Sequence, residues 1–444
     1  MAKPKEVNIV LLGCGKLGQG IYKLLHEKRK KIQDQTGINL NIKHILVKHI
    51  NQKRPAFVPQ EIVTDDIKSI LNDPSINIAI DAIGGIEPTY GIIKEFLLKK
   101  CHVVSANRAL LASKMREIFD LARSKGVHLQ FDAALGGGIP IIRLLKRDLI
   151  ASRIVSLWGI ASGTSNFILS EMHRSKKSLK EVLTLPHLRT ISESHMLLDY
   201  EGSDSAQKLA LLAAMAFGVE VDYLKVYAEG ISGLKKQDIQ FAEDFGYQIK
   251  LLTILRDQER GLELRVHPTL VPASHPLTSV QFDYNAVYIQ TDNVGQYMLY
   301  GKGAGVYPAA NMIIRDLVEI TTTSQISARN MYEYPLWNER PVLPIDEIIS
   351  GYYLRFICLD VPGVMGKIAT VLGEHHINIE SAHASVLERK NEPTAGVHIF
   401  IEAAHEKDIN AALIQIKKFK LIRGRTTVFR ILSETSVENH QKRI

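Results

Sequence analysis

The stretch Val7–Gly18, which reads VNIVLLGCGKLG, is the part of the sequence from which the fold can be predicted. Its first half, to Leu12, is a continuous apolar run, as expected of a strand buried on both faces. Its second half is a G-x-G-x-x-G motif that opens a helical pattern. The glycines permit a tight turn, close approach of a pyrophosphate and helix–strand packing. The sequence therefore predicts dinucleotide binding at a helix N-terminus, by the loop residues Gly13, Gly15, Lys16, Leu17 and Gly18.

The second predicted strand, IKHILVKHI, bears on the choice of cofactor. An NAD-selective unit usually ends this strand with an acidic residue that binds the ribose hydroxyls. Here Lys48, Lys53 and Arg54 are available instead, and these cations suit a 2′-phosphate. The pattern favours NADP over NAD, and solvated surface charge is the alternative interpretation.

Alternating strands and helices continue to about residue 135. Buried strands are expected at INIAIDAI (76–83), at 101–104 and at VHLQFDAAL (127–135), with helices between them. This alternation predicts an α/β, Rossmann-type doubly wound parallel sheet over residues 1–135. Ser105 follows one of these strands, so it is expected at the carboxyl edge, where ligands bind.

Two further domains are expected after a glycine-rich break at 136–138. The pattern of helices and strands over residues 136–325 predicts an α+β catalytic and dimerisation domain, and its last helix is expected to return to the first domain. Residues 326–349 are interpreted as a linker and 433–444 as a tail. Between them, residues 350–432 predict the βαββαβ order of a ferredoxin-like unit. Its turn Asp360–Val364, DVPGV, resembles the opening of an ACT domain, a module that senses small amino acids.

Composition limits the classes of partner and compartment. The 444 residues carry a net charge of +8, spread without a long basic run. A small anionic molecule is therefore a better candidate partner than nucleic acid. Cys14, Cys101 and Cys358 lie far apart, which fits a reducing cytoplasm better than a disulfide framework or a metal site. No signal peptide and no apolar run long enough to span a bilayer are evident, so no membrane association is expected.

The stretch ESHMLLDYEGSDSAQK, residues 193–208, gathers carboxylates and one lysine before an apolar helix. Asp204 and Lys208 lie four residues apart and share a helix face if Ser203 caps the helix. A lysine held between carboxylates and an apolar wall can exchange a proton near neutral pH. The alternative interpretation is a capped helix with a solvated salt bridge.

A series of segments, in order over nearly all of the chain, resembles homoserine dehydrogenases that carry a C-terminal ACT domain. The matching segments include GCGKLGQG, IGGIEP, VVSANRALLA, GGGIPII, GTSNFIL, GSDSAQKLALLA, GISGLKKQDIQFAEDFGYQIKLL, MLYGKGAG and DLVEI. The resemblance implies interconversion of L-homoserine and L-aspartate 4-semialdehyde with NAD or NADP, in threonine and methionine biosynthesis. It also implies amino-acid feedback, by threonine for example, and a homodimer or homotetramer.

Site residues follow from the same resemblance. Lys208 would be the proton donor or base, and Asp204 would orient it. Glu193 would hold the substrate ammonium, Asp199 would be another acid of the same substrate pocket, and Arg108 would face the substrate carboxylate. Ser105, Arg108, Gly303 and Gly305 would lie near the cofactor. Sodium or another monovalent cation would be bound, mostly through main-chain carbonyls, by the segment containing Asp132, Leu135, Gly137 and Ile139.

Several positions of the expected pocket depart from the family pattern. Arg108 replaces a lysine, Asp132 a glutamate, Ser162 an asparagine and Lys302 a proline, and the acidic turn at 194–198 lacks its Asp-Pro. These departures leave two alternatives open: a weak or inactive homologue that acts as a ligand-binding regulator, and a dehydrogenase of a related amino alcohol. The retained acid and lysine residues argue for a working enzyme.

Overall fold

The structure is a computed structural model that describes residues 4–189, 197, 199–323, 335–388 and 393–433. Its first sheet is parallel, with the strand order β3-β2-β1-β4-β5-β6. This order confirms the predicted doubly wound fold. The strands are β1 Lys5–Leu12, β2 Ile38–Leu46, β3 Val63–Thr64, β4 Ile76–Asp81, β5 His102–Ser105 and β6 Leu129–Gln130. The helices are α1 Lys16–Thr36, α2 Ile67–Leu71, α3 Thr89–Leu98, α4 Arg108–Ser113, α5 Met115–Lys125 and α6 Asp132–Gly136.

Strand β1 shows why a continuous apolar run is needed at this position. Val10 and Leu12 face one hydrophobic core, whereas Ile9 and Leu11 face a second core on the opposite side of the sheet. A strand with helices on both faces must be apolar at successive residues rather than at alternate ones.

Two local predictions were wrong. The strand expected over 127–135 is limited to Leu129–Gln130, and Asp132 begins the short helix α6, where its buried carboxylate accepts a hydrogen bond from the Ile142 amide. The helix that carries Asp204 and Lys208, Ser203–Phe217, has Gly202 as its N-cap, at φ +86°, and not Ser203. Glycine adopts this left-handed conformation without the cost that a Cβ would bring.

The second sheet is mixed and begins with the strand order β12-β11-β7-β9-β10. Its strands are β7 Ile154–Ile160, β8 Tyr227–Ala228, β9 Tyr247–Gln258, β10 Gly261–Pro272, β11 Tyr284–Thr291 and β12 Gln296–Lys302. The accompanying helices are α7 Ile141–Arg143, α8 Gly163–Ser175, α9 Leu179–Leu183, α10 Pro186–Arg189, α11 Ser203–Phe217, α12 Lys236–Asp244 and α13 Val306–Thr323, and a π-helical turn spans Leu144–Asp148.

Helix α13 packs on the first domain rather than on the second sheet. Ile313 and Leu317 belong to the same core as Ile9 and Leu11 of β1. Gly20 of α1 lies so close to this helix that a Cβ there would come within 2.0 Å of Val306. Because α1 and α13 cross this closely at their N-terminal ends, the loop that precedes α13 approaches the glycine loop that precedes α1.

Residues 349–431 form the predicted βαββαβ unit. It consists of β13 Ile349–Leu359, α14 Val364–Glu374, β14 Ile379–Glu388, β15 Thr394–His405, α15 Glu406–Ile416 and β16 Ile422–Ile431. Strand β16 also pairs in parallel with β10, through Thr269 and Arg430, so the sheet of this unit continues the second sheet as β10-β16-β13-β15-β14. The C-terminal unit is thus joined directly to the sheet that supports α11.

The described part of the predicted linker packs against both earlier domains. The Trp337 indole donates to Asp120 of α5 over 2.8 Å, and Leu262 of β10 exchanges main-chain hydrogen bonds with Pro341 and Leu343. Among the helices that the structure describes, none has the length and apolarity that a membrane span requires.

Candidate active site

The glycine loop has the shape that a dinucleotide requires. A Cβ on Gly13 would lie 2.6 Å from the Ala82 carbonyl oxygen, and one on Gly18 would lie 2.1 Å from that of Gly13. A Cβ on Gly15 would meet no described atom within 4 Å. The turn therefore requires glycine at positions 13 and 18, whereas Gly15 leaves open space at the N-terminus of α1. Lys16 begins that helix, which has no acidic residue in its first turn, so an anion is favoured there.

Cations follow the end of β2, as predicted. Lys48 is exposed, and Arg54 donates to the carbonyls of His49, Ile50 and Gln52 over 2.7 to 3.0 Å. Burial raises the pKa of the Cys14 thiol, and the charge of Arg54 and a hydrogen bond from it oppose that rise. The Arg54 guanidinium therefore lies against the glycine loop.

The carboxyl ends of β4 and β5 meet beside this loop. The Ser105 hydroxyl donates to Asp81 over 2.9 Å and accepts from the Asn107 amide over 3.1 Å. Burial raises the pKa of Asp81. Asn107 then caps α4, so this network fixes the point at which Arg108 enters the helix. Asp81 and Asn107 were not singled out from the sequence, although both flank strand ends.

Lys208 is buried on the first turns of α11. Its ammonium lies 3.0 Å from Asp204 Oδ2 and donates to the main-chain oxygen of Ala161. Burial lowers the pKa of Lys208 well below its ordinary value, and the charge of Arg108 lowers it further, whereas Asp199 opposes the change. A depressed pKa makes the neutral amine available nearer to neutral pH, which a general base requires.

Arg108 and Lys208 share one carboxylate. The Arg108 guanidinium forms an ion pair with Asp204 Oδ1, and its Nε donates to the Ala134 carbonyl over 3.0 Å. Burial lowers the pKa of Arg108 to about 10, so the group remains charged at neutral pH. The structure thus brings together three predicted residues from α4 and α11, and each cation contacts a different oxygen of Asp204.

Asp199 also lies in this neighbourhood. Its carboxylate accepts a hydrogen bond from the Thr164 hydroxyl over 2.6 Å, and its charge raises the pKa values of both Arg108 and Lys208 against burial. Glu193 lies outside the described residues, as does most of the turn at 194–198.

Asn285 connects the loop that contains Gly303 and Gly305 to Lys208. No role for Asn285 was predicted from the sequence. Its side chain donates to the Ala161 oxygen over 3.0 Å, the same oxygen that Lys208 contacts. A Cβ on Gly303 would overlap the Asn285 side chain at 1.9 Å, and a Cβ on Gly137 would lie 2.2 Å from the Gly303 oxygen. The segment NAV, residues 285–287, also belongs to the family resemblance, so Asn285 could have been selected from it as a candidate site residue. Gly305, at φ +124°, completes this loop before α13.

The carboxylate of Asp132 is engaged by other groups of the protein. It is fully buried, accepts from the Ile142 amide over 2.7 Å and pairs with Arg315 over 2.5 Å. The Ile142 amide and the Arg315 guanidinium therefore already occupy this carboxylate. Leu135 and Ile139 are buried apolar residues and Gly137 is a backbone turn, which leaves main-chain oxygens as their only potential ligands. The structure describes no cluster of three or more His, Cys, Asp or Glu residues able to hold a metal ion.

Two other departures from the family pattern have ordinary structural roles. Ser162 caps α8 by accepting a hydrogen bond from the Ser165 amide over 3.1 Å. Lys302 forms a surface ion pair with Asp283 at 3.3 Å.

Comparison with known proteins matches three segments of the chain to protein families. Residues 13–132 match the homoserine dehydrogenase NAD-binding domain, residues 140–318 match homoserine dehydrogenase, and residues 352–420 match the ACT domain. The homoserine dehydrogenase of Neisseria gonorrhoeae is 36% identical over 441 residues, which cover 97% of this chain and 99% of that protein. The homoserine dehydrogenase of a Synechocystis species is 35% identical, over 96% and 100%. A crystal structure of a homoserine dehydrogenase from Thiobacillus denitrificans superposes with a TM-score of 0.90 at 34% identity, covering 98% of this chain and 100% of that one.

Proposed function

The chain belongs to the homoserine dehydrogenase family, and we propose that Lys208, Asp204 and Arg108 carry the oxidation of L-homoserine to L-aspartate 4-semialdehyde. That interconversion, in threonine and methionine biosynthesis, is the activity of the family. The observation that supports the assignment is the buried lysine held between one carboxylate oxygen and a main-chain oxygen, with a depressed pKa.

The chemistry requires one proton transfer at the substrate oxygen. A nicotinamide cofactor held at the loop of Gly13, Gly15 and Gly18 would supply the acceptor for the hydride of the homoserine carbinol carbon. Neutral Lys208 takes the hydroxyl proton, and the carbonyl of the aldehyde forms as the C–H bond breaks. In the reverse direction, the protonated lysine returns that proton to the carbonyl oxygen. Asp204 holds the ammonium form in place, and Arg108 keeps Asp204 oriented.

The substrate is a zwitterion, so both of its end groups need partners. We assign its ammonium to Asp199 and Glu193, and its carboxylate to the charge of Arg108. The position of Asp199 supports this assignment, because its carboxylate is close enough to Arg108 and Lys208 for its charge to raise the pKa of both groups against burial.

For the cofactor we propose NADP, with NAD as the alternative. The pyrophosphate would lie over Gly15 at the N-terminus of α1, and Ser105, Gly303 and Gly305 would border the nicotinamide. Arg54, at the glycine loop, and Lys48 supply positive charge where a 2′-phosphate would sit. A monovalent cation would have to rely on main-chain oxygens of Leu135, Gly137 and Ile139.

We also propose that the chain forms a homodimer or homotetramer. The edge strand β12 exposes Tyr297 and Tyr300, and the opposite edge strand β14 exposes Val386 and Leu387. Exposed apolar side chains on an unpaired sheet edge favour pairing with another copy. The mass of the purified protein, measured by light scattering, tests this.

A steady-state assay tests the main proposal. Purified protein should reduce NADP, and NAD more slowly, in the presence of L-homoserine. Two matched substrates lacking one end group, 4-hydroxybutyrate without the ammonium and 3-amino-1-propanol without the carboxylate, should both be poor. Absence of turnover with either cofactor in either direction would refute the proposal, and equal rates with 3-amino-1-propanol would favour an amino-alcohol dehydrogenase instead.

A further inference from the structure

Asn285, at the start of β11, is buried, and only one of its two side-chain polar atoms has a partner. The residue is 3% exposed. Its Nδ2 donates to the main-chain oxygen of Ala161 over 3.0 Å, whereas its Oδ1 is buried without a hydrogen-bond partner in the described part of the chain. A buried acceptor without a partner lowers stability. The bond that the amide donates therefore explains this residue better than packing does.

The pairing of three strands determines where this amide lies. The residue after Asn285 pairs with the last residue of β7, so Asn285 lies alongside Ala161, which follows that strand. On its other side, Asn285 pairs with Gly301 of β12. The segment 301–305, which we call the Gly303 loop, contains the end of β12 and the turn into α13. The amide thus lies between the Gly303 loop and the end of β7.

Lys208 and Asn285 donate to the same oxygen. The Lys208 ammonium contacts Asp204 and also the main-chain oxygen of Ala161. Because Asn285 binds that oxygen too, it fixes the direction of the acceptor that the amine faces. The charged groups that face Lys208 from the described elements are those of Asp204, Arg108 and Asp199. The Ala161 oxygen is a neutral partner, and it can position the amine without adding a charge.

The Gly303 loop packs against the amide of Asn285. A Cβ on Gly303 would lie 1.9 Å from Asn285 Cγ, 2.1 Å from its Oδ1 and 2.2 Å from its Nδ2. Gly303 therefore faces the amide group, and only glycine leaves room there. A Cβ on Gly301 would instead meet the Ile139 side chain, at 3.3 Å. A displacement of Gly303 toward β11 has to move the amide.

We propose that Asn285 is a positioning residue for Lys208, which holds the Ala161 carbonyl on the lysine amine and couples that amine to the Gly303 loop. The proposal rests on the proposed function, in which Lys208 is the base and the Gly303 loop borders the nicotinamide. When a bound ligand orders the loop, the amine is aligned at the same time. Alignment of this kind raises the rate of a proton transfer rather than the affinity for substrate.

Two substitutions at Asn285 test its effect on the lysine. Asn285→Asp puts a carboxylate of the same shape near the amine, so the pKa of Lys208 should rise and the rising limb of kcat for homoserine oxidation should move up by about 1 pH unit. Asn285→Leu removes the donor without adding a charge, so kcat should fall by about 10-fold to 100-fold while KM changes little. NMR of isotope-labelled lysine side chains, with the Lys208 signal identified by its loss in Lys208→Met, reports the pKa without turnover.

The matched control for a buried carboxylate is Asn166→Asp. Asn166 is also buried and donates to main-chain oxygens, but the lysine that it contacts is Lys250. This variant should leave the pKa of Lys208 and the limb of kcat in place. Circular dichroism checks that each variant is folded.

Gly303→Ala tests the coupling to the loop. Its methyl group would overlap the amide, so kcat should fall, whereas Gly301→Ala should leave kcat unchanged. Asn285→Ala makes room for that methyl, so the double variant should resemble Asn285→Ala alone, and the two losses should not add.

The outcomes separate this inference from the proposed function. Additive losses in the double variant, or a pKa of Lys208 that does not move in Asn285→Asp, would overturn the role of Asn285. A pKa that moves as expected, in a protein that does not oxidise homoserine, would contradict the proposed function alone.

Discussion

Two buried arginine clusters flank the short helix α6, and they differ in their charge balance. In the first, which we call the Lys208 cluster, Arg108 and Lys208 share the single carboxylate of Asp204, and Arg108 also contacts Ala134 of α6. In the second, the Arg315 cluster, Arg315 faces Asp132 of α6, Asp316 and Glu319, and Arg147 also pairs with Glu319. The first cluster has two cations on one carboxylate, whereas the second has two guanidinium groups among three carboxylates.

The charge balance determines what each cluster can do. In the Lys208 cluster, burial and a neighbouring cation lower the pKa of Lys208, so a proton is easily lost. In the Arg315 cluster, burial raises the pKa of Asp132, and it raises that of Asp316 to about 8 although Arg315 opposes both changes. The first arrangement suits proton transfer, whereas the second retains protons and holds α13 against α6.

The largest expected effect is that of Lys208→Ala on turnover. Removal of the general base should lower kcat for homoserine oxidation by about 10²-fold to 10⁴-fold. NADPH binding, followed by its fluorescence, should persist. Lys250→Met is the matched control, because Lys250 is also buried with its pKa lowered to about 8, but it bonds Asn166 and Val280 outside the cluster. A similar loss of kcat in both variants would mean that Lys208 has no special role.

Arg315→Leu should act on stability rather than on chemistry. It leaves buried carboxylates without their cation, so the free energy of unfolding should fall by about 3–5 kcal/mol. Arg260→Leu, which breaks the exposed pair with Glu347, should cost about 0–1 kcal/mol. Urea denaturation followed by circular dichroism measures both. If Arg315→Leu is as stable as the control, the second cluster does not hold α13 in place.

The smallest expected effect on the chemical step is a shift of the pH profile of kcat in Arg108→Gln, a variant that should also raise KM because it removes the partner proposed for the substrate carboxylate. Loss of the guanidinium removes a charge that lowers the pKa of Lys208, so this pKa should rise. Neutral lysine then appears only at higher pH, and the rising limb of homoserine oxidation should move up by roughly 1 pH unit. Arg108→Lys, which keeps the charge, should leave the limb near its original position. A limb that moves down, or moves equally in both variants, would show that Arg108 does not tune the lysine.

Sequence reasoning reached the elements whose signals are local. The apolar run of β1 and the spacing of Gly13, Gly15 and Gly18 predicted the parallel sheet and its loop, because strand burial and tight turns depend on neighbouring residues. The four-residue spacing of Asp204 and Lys208 likewise placed both on one helix face. The helix at Asp132 was missed, because a buried ion pair with Arg315, 183 residues away, helps to fix it.

The sequence alone determined the order of the domains, the dinucleotide loop and the residue types available for catalysis, since these depend on patterns within short segments. Only the tertiary structure decided which charges neutralise one another. It placed Arg108 on Asp204, joined Asn285 to Lys208 through Ala161, and paired β16 with β10. Burial and long-range pairing set the pKa of a lysine, and neither can be read from its neighbours in the chain.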